Sequence, residues 1–391
     1  MLHLQKHLSI SFRHQWLLCF NRFATTAASK ASPHSAPFAV EDYLVGTCGL
    51  TRDKAAKASK KLTLLKSPSN PDAVLSFLSG FGLSPSDIAS AIGREPRLLR
   101  IDVKEVLAPR LAVVQENYGL SASQIARFVL ADPSWFSRPA IISKLQFYVP
   151  FFGSFDNLLL ALKKSPYLLG VSLERVVKPN VSLLREYGLG PPDISKACLR
   201  VPKLLWFRSA KMQEMAACLE EIGIPRGTPM FRVGLQCLAS LTKECIASKM
   251  ELLKKTLQCS DAEVMTALSK APNLLTISHD KIRRISRFLI SEAGLDPKYV
   301  ASNPALMTYS LEGRLMPRFY VMKFLEEKGL LGSQRSYYAA VVPKEKVFVE
   351  RFIHPHKGAA PHLAEDYAAA CRGQVPSRFS SQEPRTGLAS D

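Results

Sequence analysis

One short turn recurs along the chain of 391 residues at intervals that point to a repeat architecture. It reads Gly82-Leu83-Ser84-Pro85, Gly119-Leu120-Ser121, Gly153-Ser154-Phe155, Gly188-Leu189-Gly190-Pro191, Gly223-Ile224-Pro225, Gly294-Leu295-Asp296-Pro297 and Gly329-Leu330-Leu331. The glycine spacings are 37, 34, 35, 35, 71 and 35 residues; the 71 is two units whose middle turn, near Gln258-Cys259-Ser260, has lost its glycine. Gly takes the left-handed conformation just past a helix end. Ser or Asp then caps the next helix, and Pro suits its first position, where the N–H has no partner anyway. Ser84 with Asp87, Ser121 with Gln124 and Ser260 with Glu263 have capping-box spacing. Each turn therefore ends one helix and starts another.

A second signature follows about 14 residues after each turn: Pro96-Arg97-Leu98-Leu99, Pro133-Ser134-Trp135-Phe136, Pro166-Tyr167-Leu168-Leu169, Pro202-Lys203-Leu204-Leu205, Pro272-Asn273-Leu274-Leu275 and Pro304-Ala305-Leu306-Met307. The unit at 229–257 has Cys237 where this Pro is due and is degenerate, although Met230-Phe231 and Ser240-Leu241 keep helical spacing. Pro stops the first helix, and two apolar residues plug the gap between units. A longer second helix follows, with apolar residues such as Val177, Val181 and Leu184 on one face. Neither helix can bury its stripe alone, so units stack. The fold class is all-α, a superhelical solenoid of about seven units over 70–330. Residues 41–69 are expected to form an N-terminal cap with a helix from Thr51 to about Leu62, and 331–357 a C-terminal cap. From Gly358 the composition turns to Gly, Pro, Ser and Ala, and 358–391 reads as a flexible tail, disordered from 372.

The charge balance narrows the partners. Lys and Arg number 52 against 33 Asp and Glu, a net +19. That excess suits nucleic acid or an anionic surface. Residues 1–40 carry Lys6, Arg13, Arg22 and Lys30 and no acid, with Leu4, Leu8, Phe12 and Trp16 on one helical face. This is the pattern of an organelle transit peptide with a cleavage region near Arg22-Phe23-Ala24-Thr25, mitochondrial ahead of chloroplast. Without these four charges residues 41–391 keep +15, so the excess belongs mainly to the repeats. No apolar run reaches the ~18 residues of a membrane span.

Catalytic material is scarce. Four of the eight His lie in the leader, and His279 alone lies within the repeats. No phosphate-binding glycine loop and no defensible carboxylate pair occurs. The eight Cys form no Cys-x-x-Cys pair and read as small buried thiols. His354, His356 and His362 with Cys371 are a weak metal set. No enzyme activity, cofactor or metal is expected.

The six Pro-x-Leu-Leu-type turns, with Gly-Leu-Ser-Pro-Ser-Asp-Ile at 82–88, Lys57-Ala58-Ser59-Lys60-Lys61-Leu62 and Ser310-Leu311-Glu312-Gly313-Arg314-Leu315-Met316-Pro317-Arg318, resemble the mitochondrial transcription termination factor (mTERF) family. The segment from Ser67 to Leu75 looks like the opening of a plant member. The resemblance covers about 41–357. It implies a helical solenoid that acts on nucleic acid in an organelle, in transcription termination or regulation or in RNA metabolism. The partners it implies are organellar double-stranded DNA, RNA, and transcription or splicing proteins, with the chain itself a monomer. A protein-interaction scaffold is the reading from another class.

Basic residues recur about 9–14 positions after each turn Pro. They are Arg110, Lys144, Arg175, Lys178, Lys211, Lys281, Arg283, Arg284, Arg314 and Arg318, with Lys249 counted from Cys237. One position per unit becomes a stripe on stacking, suited to a phosphate backbone. Arg also reaches guanine edges, which singles out Arg283, Arg314 and Arg318 for base readout. Trp135, Tyr167, Trp206 and Phe207 are expected in the core rather than stacked on bases.

Overall fold

A computed structural model describes residues 38–138, 140–331 and 336–379, and every regular element among them is helical. The described chain forms two compact units divided at Ala112 and Val113, each treated by itself.

The first unit opens with two helices, Val40–Gly46 and Arg52–Ser59, where the sequence had suggested one. Helices Ser69–Ser79 and Pro85–Arg94 follow, then the turn Pro96–Arg100. Leu44, Leu62, Val74, Leu78, Ile92, Leu98 and Leu99 form its core with no exposure.

The second unit stacks six repeats, numbered two to seven. Their first helices are Ala122–Ala131, Phe155–Lys164, Pro191–Arg200, Pro229–Leu238, Asp261–Lys270 and Pro297–Ser302. Their second helices begin at Ile141, Leu173, Ser209, Lys243, His279 and Leu311. First helices pack on first helices of the next repeat, except that Pro229–Leu238 of the fifth repeat packs mainly on the turn Pro272–Thr276 of the sixth. In each intact turn the two apolar residues are fully buried: Trp135 and Phe136, Leu168 and Leu169, Leu204 and Leu205, Leu274 and Leu275, Leu306 and Met307. Each such side chain contributes roughly 1.5–3 kcal/mol, so the plugs are a main source of adhesion between repeats.

The turn chemistry holds in detail. All seven turn glycines have positive φ, and the three capping boxes close. Where the middle turn lacks Gly, Gln258 takes the left-handed conformation itself at φ 52°, alone among the described non-glycine residues. The degenerate fifth repeat lacks the short turn helix but keeps its stack. A Cβ on Gly234 would lie 2.4 Å from Leu219 Cδ2, so glycine lets Pro229–Leu238 approach the preceding helix.

Two features were not foreseen. Pro109, Pro179 and Pro317 each stand 13 residues after a turn Pro, inside the second helix. Just before them the helix widens to π turns, Val103–Leu107, Leu173–Val177 and Leu311–Leu315, closed by bonds such as Leu107 N–H to Asp102 O at 3.0 Å. The wide turn gives the proline ring room against the preceding carbonyls. The second feature corrects the tail boundary at 358. Helix Leu363–Cys371 packs on Met316–Glu327, and Leu363, Tyr367 and Phe379 join Val321, Leu325 and Phe348 in one core. The small-residue composition hid an apolar face that the last repeat needs covered. The transit-peptide reading covers residues 1–40, of which 1–37 lie outside the described residues, as does the end of the tail, 380–391.

Gln258→Gly removes a left-handed side chain that costs roughly 1–2 kcal/mol. Part of this is offset by glycine's greater freedom when unfolded. We expect a net gain of about 0.5–1 kcal/mol in urea unfolding, and a loss for the β-branched Gln258→Val.

Candidate nucleic-acid interface

In every repeat the first helix ends, the turn crosses, and the second helix starts at one edge of the stack. The sequence-selected basic residues all sit on that second helix or its approach. The fold divides them.

Four are tied to protein carbonyls. Lys144 donates to Leu169 O and, at 2.9 Å, to Val171 O; Lys249, only 4% exposed, donates to Ile277 O. In both cases the acceptors lie at the end of the next repeat's turn. Burial pulls both ammonium groups below the usual lysine range, and Arg138 nearby adds to the effect on Lys144. Asn180 does the same job toward Phe207 O at 2.8 Å, and in the first unit Asn70 reaches Leu99 O at 2.8 Å and Ile101 O at 3.2 Å. Arg318, wholly buried, donates to Ala340 O, Val341 O and Pro343 O at 2.7–2.9 Å, pairs with Glu345 at 2.7 Å and lies over the Phe348 ring. Arg314 is half-buried over Tyr309 and donates to Pro343 O. Arg318 is therefore corrected from base reader to internal fastener, and Lys249, expected in the phosphate-following stripe, is buried as a fastener too. A carbonyl with no strand or helix partner needs a donor once buried, and a long basic side chain supplies it.

The others face solvent more. Arg175, Lys178, Arg283 and Arg284 are exposed, while Lys211, Lys281 and, in the first unit, Arg110 are half-buried. Lys178 pairs with Glu174 at 2.6 Å, Lys211 approaches Glu214 at 3.9 Å, and Arg284 pairs with Glu312. Such exposed pairs are worth about 0–1 kcal/mol, so a phosphate can displace them. Arg175 and Arg283 have no side-chain partner among the described residues.

The turn edge holds more charge than that window captured. Lys163, Lys164, Lys196, Arg200, Lys203, Arg208, Lys243 and Lys270 are all exposed there. Their signal was a basic residue two before the turn Pro: Arg94, Lys164, Arg200 and Lys270. Cations also complement the last turn of a helix, and Lys164 and Lys270 donate to carbonyls ending the next repeat's first helix. From 113 to 331, the stretches running from six residues before each turn Pro (or Cys237) to twelve after it hold 21 basic and 6 acidic residues. The intervening stretches, which form the opposite edge and the helix bodies leading to it, hold 8 and 13. The charge excess of the stack thus sits on one edge.

The aromatic residues also divide. Trp135 is fully buried and Trp206 and Phe207 half-buried, but Tyr167 is 79% exposed, a correction to its expected place in the core. It occupies the x position of the turn, which the 3₁₀ geometry points outward while the next two residues point in.

Nothing among the described residues gathers three or more His, Cys, Asp or Glu into a metal site. Seven cysteines are free, and Cys48, Cys198, Cys237 and Cys259 are buried. Burial pushes the Cys237 thiol up to about 11 and Cys48 up to about 12, values that suit packing rather than nucleophilic work. No single described helix is long and apolar enough to cross a membrane.

Arg318→Met leaves the buried carbonyls of Ala340 and Val341 without this donor, while Pro343 O keeps Arg314. A loss of about 3 kcal/mol or more is expected in chemical denaturation. Arg283→Ala should stay within about 0.5 kcal/mol, since its side chain is exposed.

A sequence profile of the mTERF family matches residues 64–349. Three Arabidopsis thaliana proteins are similar over most of that span. Transcription termination factor MTEF18, mitochondrial, is 24% identical over 293 residues, 75% of this chain and 50% of that protein. Transcription termination factor MTERF15, mitochondrial, is 22% identical over 253 residues, 62% of this chain and 54% of its own length. Transcription termination factor MTERF8, chloroplastic, is 21% identical over 263 residues, 66% and 51% respectively. The chain spans about half the length of these curated relatives. With stacked two-helix repeats, their Pro-x-Leu-Leu plugs and a profile match over most of its length, the chain belongs to the mTERF family.

Proposed function

We propose that this chain is a nucleic-acid-binding regulator of organellar gene expression, and a binding protein rather than an enzyme. The carrying observation is the separation of charge between the two edges, 21 basic and 6 acidic residues against 8 and 13. A row of cations at a repeat spacing follows a phosphate backbone, and the counterions it releases drive binding. Double-stranded DNA is the first ligand in this reading, held by Arg175, Lys178, Lys211, Lys281, Arg283 and Arg284 together with the turn-edge residues Lys203 and Arg208. Control of transcription, including termination, fits the names its relatives carry. A mitochondrial address fits two of those names and the acid-free leader; the third relative is chloroplastic. An RNA strand, as in splicing or processing, is the second reading, favoured by exposed Tyr167.

The test is affinity for duplex DNA and single-stranded RNA at several salt concentrations. Binding should weaken steeply with salt, and the double variant Lys281→Ala/Arg283→Ala should reduce the log–log slope by about 2. Failure to bind either nucleic acid at low salt would leave the scaffold reading in its place.

A further inference from the structure

We propose that the turn edge of repeats three and four is a stacking platform for unpaired bases, centred on Tyr167. This rests on the nucleic-acid reading above and deepens it by naming the form of strand bound.

Three observations carry it. First, Tyr167 has the highest exposure of the described large apolar and aromatic side chains, 79% against 68% for Leu64. The same turn position holds Ser134, Lys203, Asn273 and Ala305 in other repeats, so a ring is not required there by the fold. Second, the ring is held on a stiff base. Pro166 precedes it, and Leu168 and Leu169 after it are fully buried. A ring presented by a rigid turn loses little freedom on binding, which favours contact with a flat partner. Third, its surroundings suit a nucleotide strand. Lys163 and Lys164 end the helix just before the turn, and Lys203 occupies the matching position one repeat on. Half-buried Trp206 donates from Nε1 to Ser165 Oγ at 3.2 Å, two residues before Tyr167. An exposed aromatic ring flanked by cations binds a single strand through base stacking and phosphate contact. In a duplex the base faces are covered by their neighbours, so the ring serves an unpaired strand, either RNA or one strand of opened DNA.

Fluorescence anisotropy with labelled oligonucleotides of about 12 nucleotides tests this, within the usual range of single-strand footprints. The probes are single-stranded RNA, single-stranded DNA of the same sequence, and the matching DNA duplex. Tyr167→Ala should weaken single-strand binding about tenfold or more, Tyr167→Phe should retain it, and duplex binding should be unchanged in both. Ultraviolet crosslinking should attach the strand to the peptide containing Tyr167. Tighter RNA than DNA binding assigns the source to RNA, and equal affinity to any unpaired strand. If Tyr167→Ala binds single strands as the native chain does, while Lys163→Ala/Lys203→Ala weakens all probes, the platform is overturned and backbone binding stands. If the native chain binds none of the probes at low salt, both readings fall. Melting temperature serves as the folding control; because the ring is exposed, Tyr167→Ala should not shift it.

Discussion

The stack depends on how the backbone carbonyls left at the ends of several turns are satisfied. A short 3₁₀ turn leaves acceptors that neither flanking helix can serve, and stacking buries them. The preceding repeat supplies the donors, from Lys144, Asn180, Lys249 and Arg318 in the second unit and from Asn70 in the first. These bonds fix the distance between repeats, and the paired apolar plugs then fill that distance. Without the donor the plug would draw a bare carbonyl into the core, at about 1–3 kcal/mol for each unsatisfied group. Arg318 is the most elaborate case. It closes the last repeat against three carbonyls, Glu345 and Phe348, and the Leu363–Cys371 helix covers that junction through Tyr367, which donates to Glu345 at 3.0 Å.

The same edge therefore carries two classes of cation that are close in sequence. One class points along the stack into carbonyls and holds the fold. The other points outward and leaves charge for a partner. Acidic residues cluster toward the opposite edge, where they serve caps such as Glu263 in its capping box with Ser260 and pairs such as Arg226 with Glu220 at 2.6 Å. Burial decides the class. Lys249 and Arg318 are nearly or wholly inaccessible, whereas Arg175 and Arg283 meet solvent.

Much of the fold was legible because turn chemistry is local. Gly, capping Ser and Pro act within a few residues of themselves, so the repeat length, the positive φ of all seven turn glycines and the three capping boxes could be read directly. Even the missing glycine was locatable, and Gln258 occupies its conformation. The site was less legible. A window of 9–14 residues after the turn Pro spans more than one turn of helix, so it mixes outward Arg175 with inward Arg318. Their separation needs the helix phase, and the π turns before Pro179 and Pro317 shift that phase. Tyr167 was misplaced for a related reason: its apolar neighbours Leu168 and Leu169 are plugs, but the 3₁₀ turn sends the residue before them outward. The helix at Leu363–Cys371 was hidden by a composition of small residues whose apolar spacing is short.

In the proposed function one edge of the stack holds the nucleic acid. Covalent lysine footprinting, with acetylation read by mass spectrometry in the presence and absence of duplex DNA or RNA at low salt, tests it most directly. Lys163, Lys203, Lys211 and Lys281 should be protected while Lys254, Lys255, Lys323 and Lys328 stay reactive. Protection of the second set with the first left reactive would contradict it.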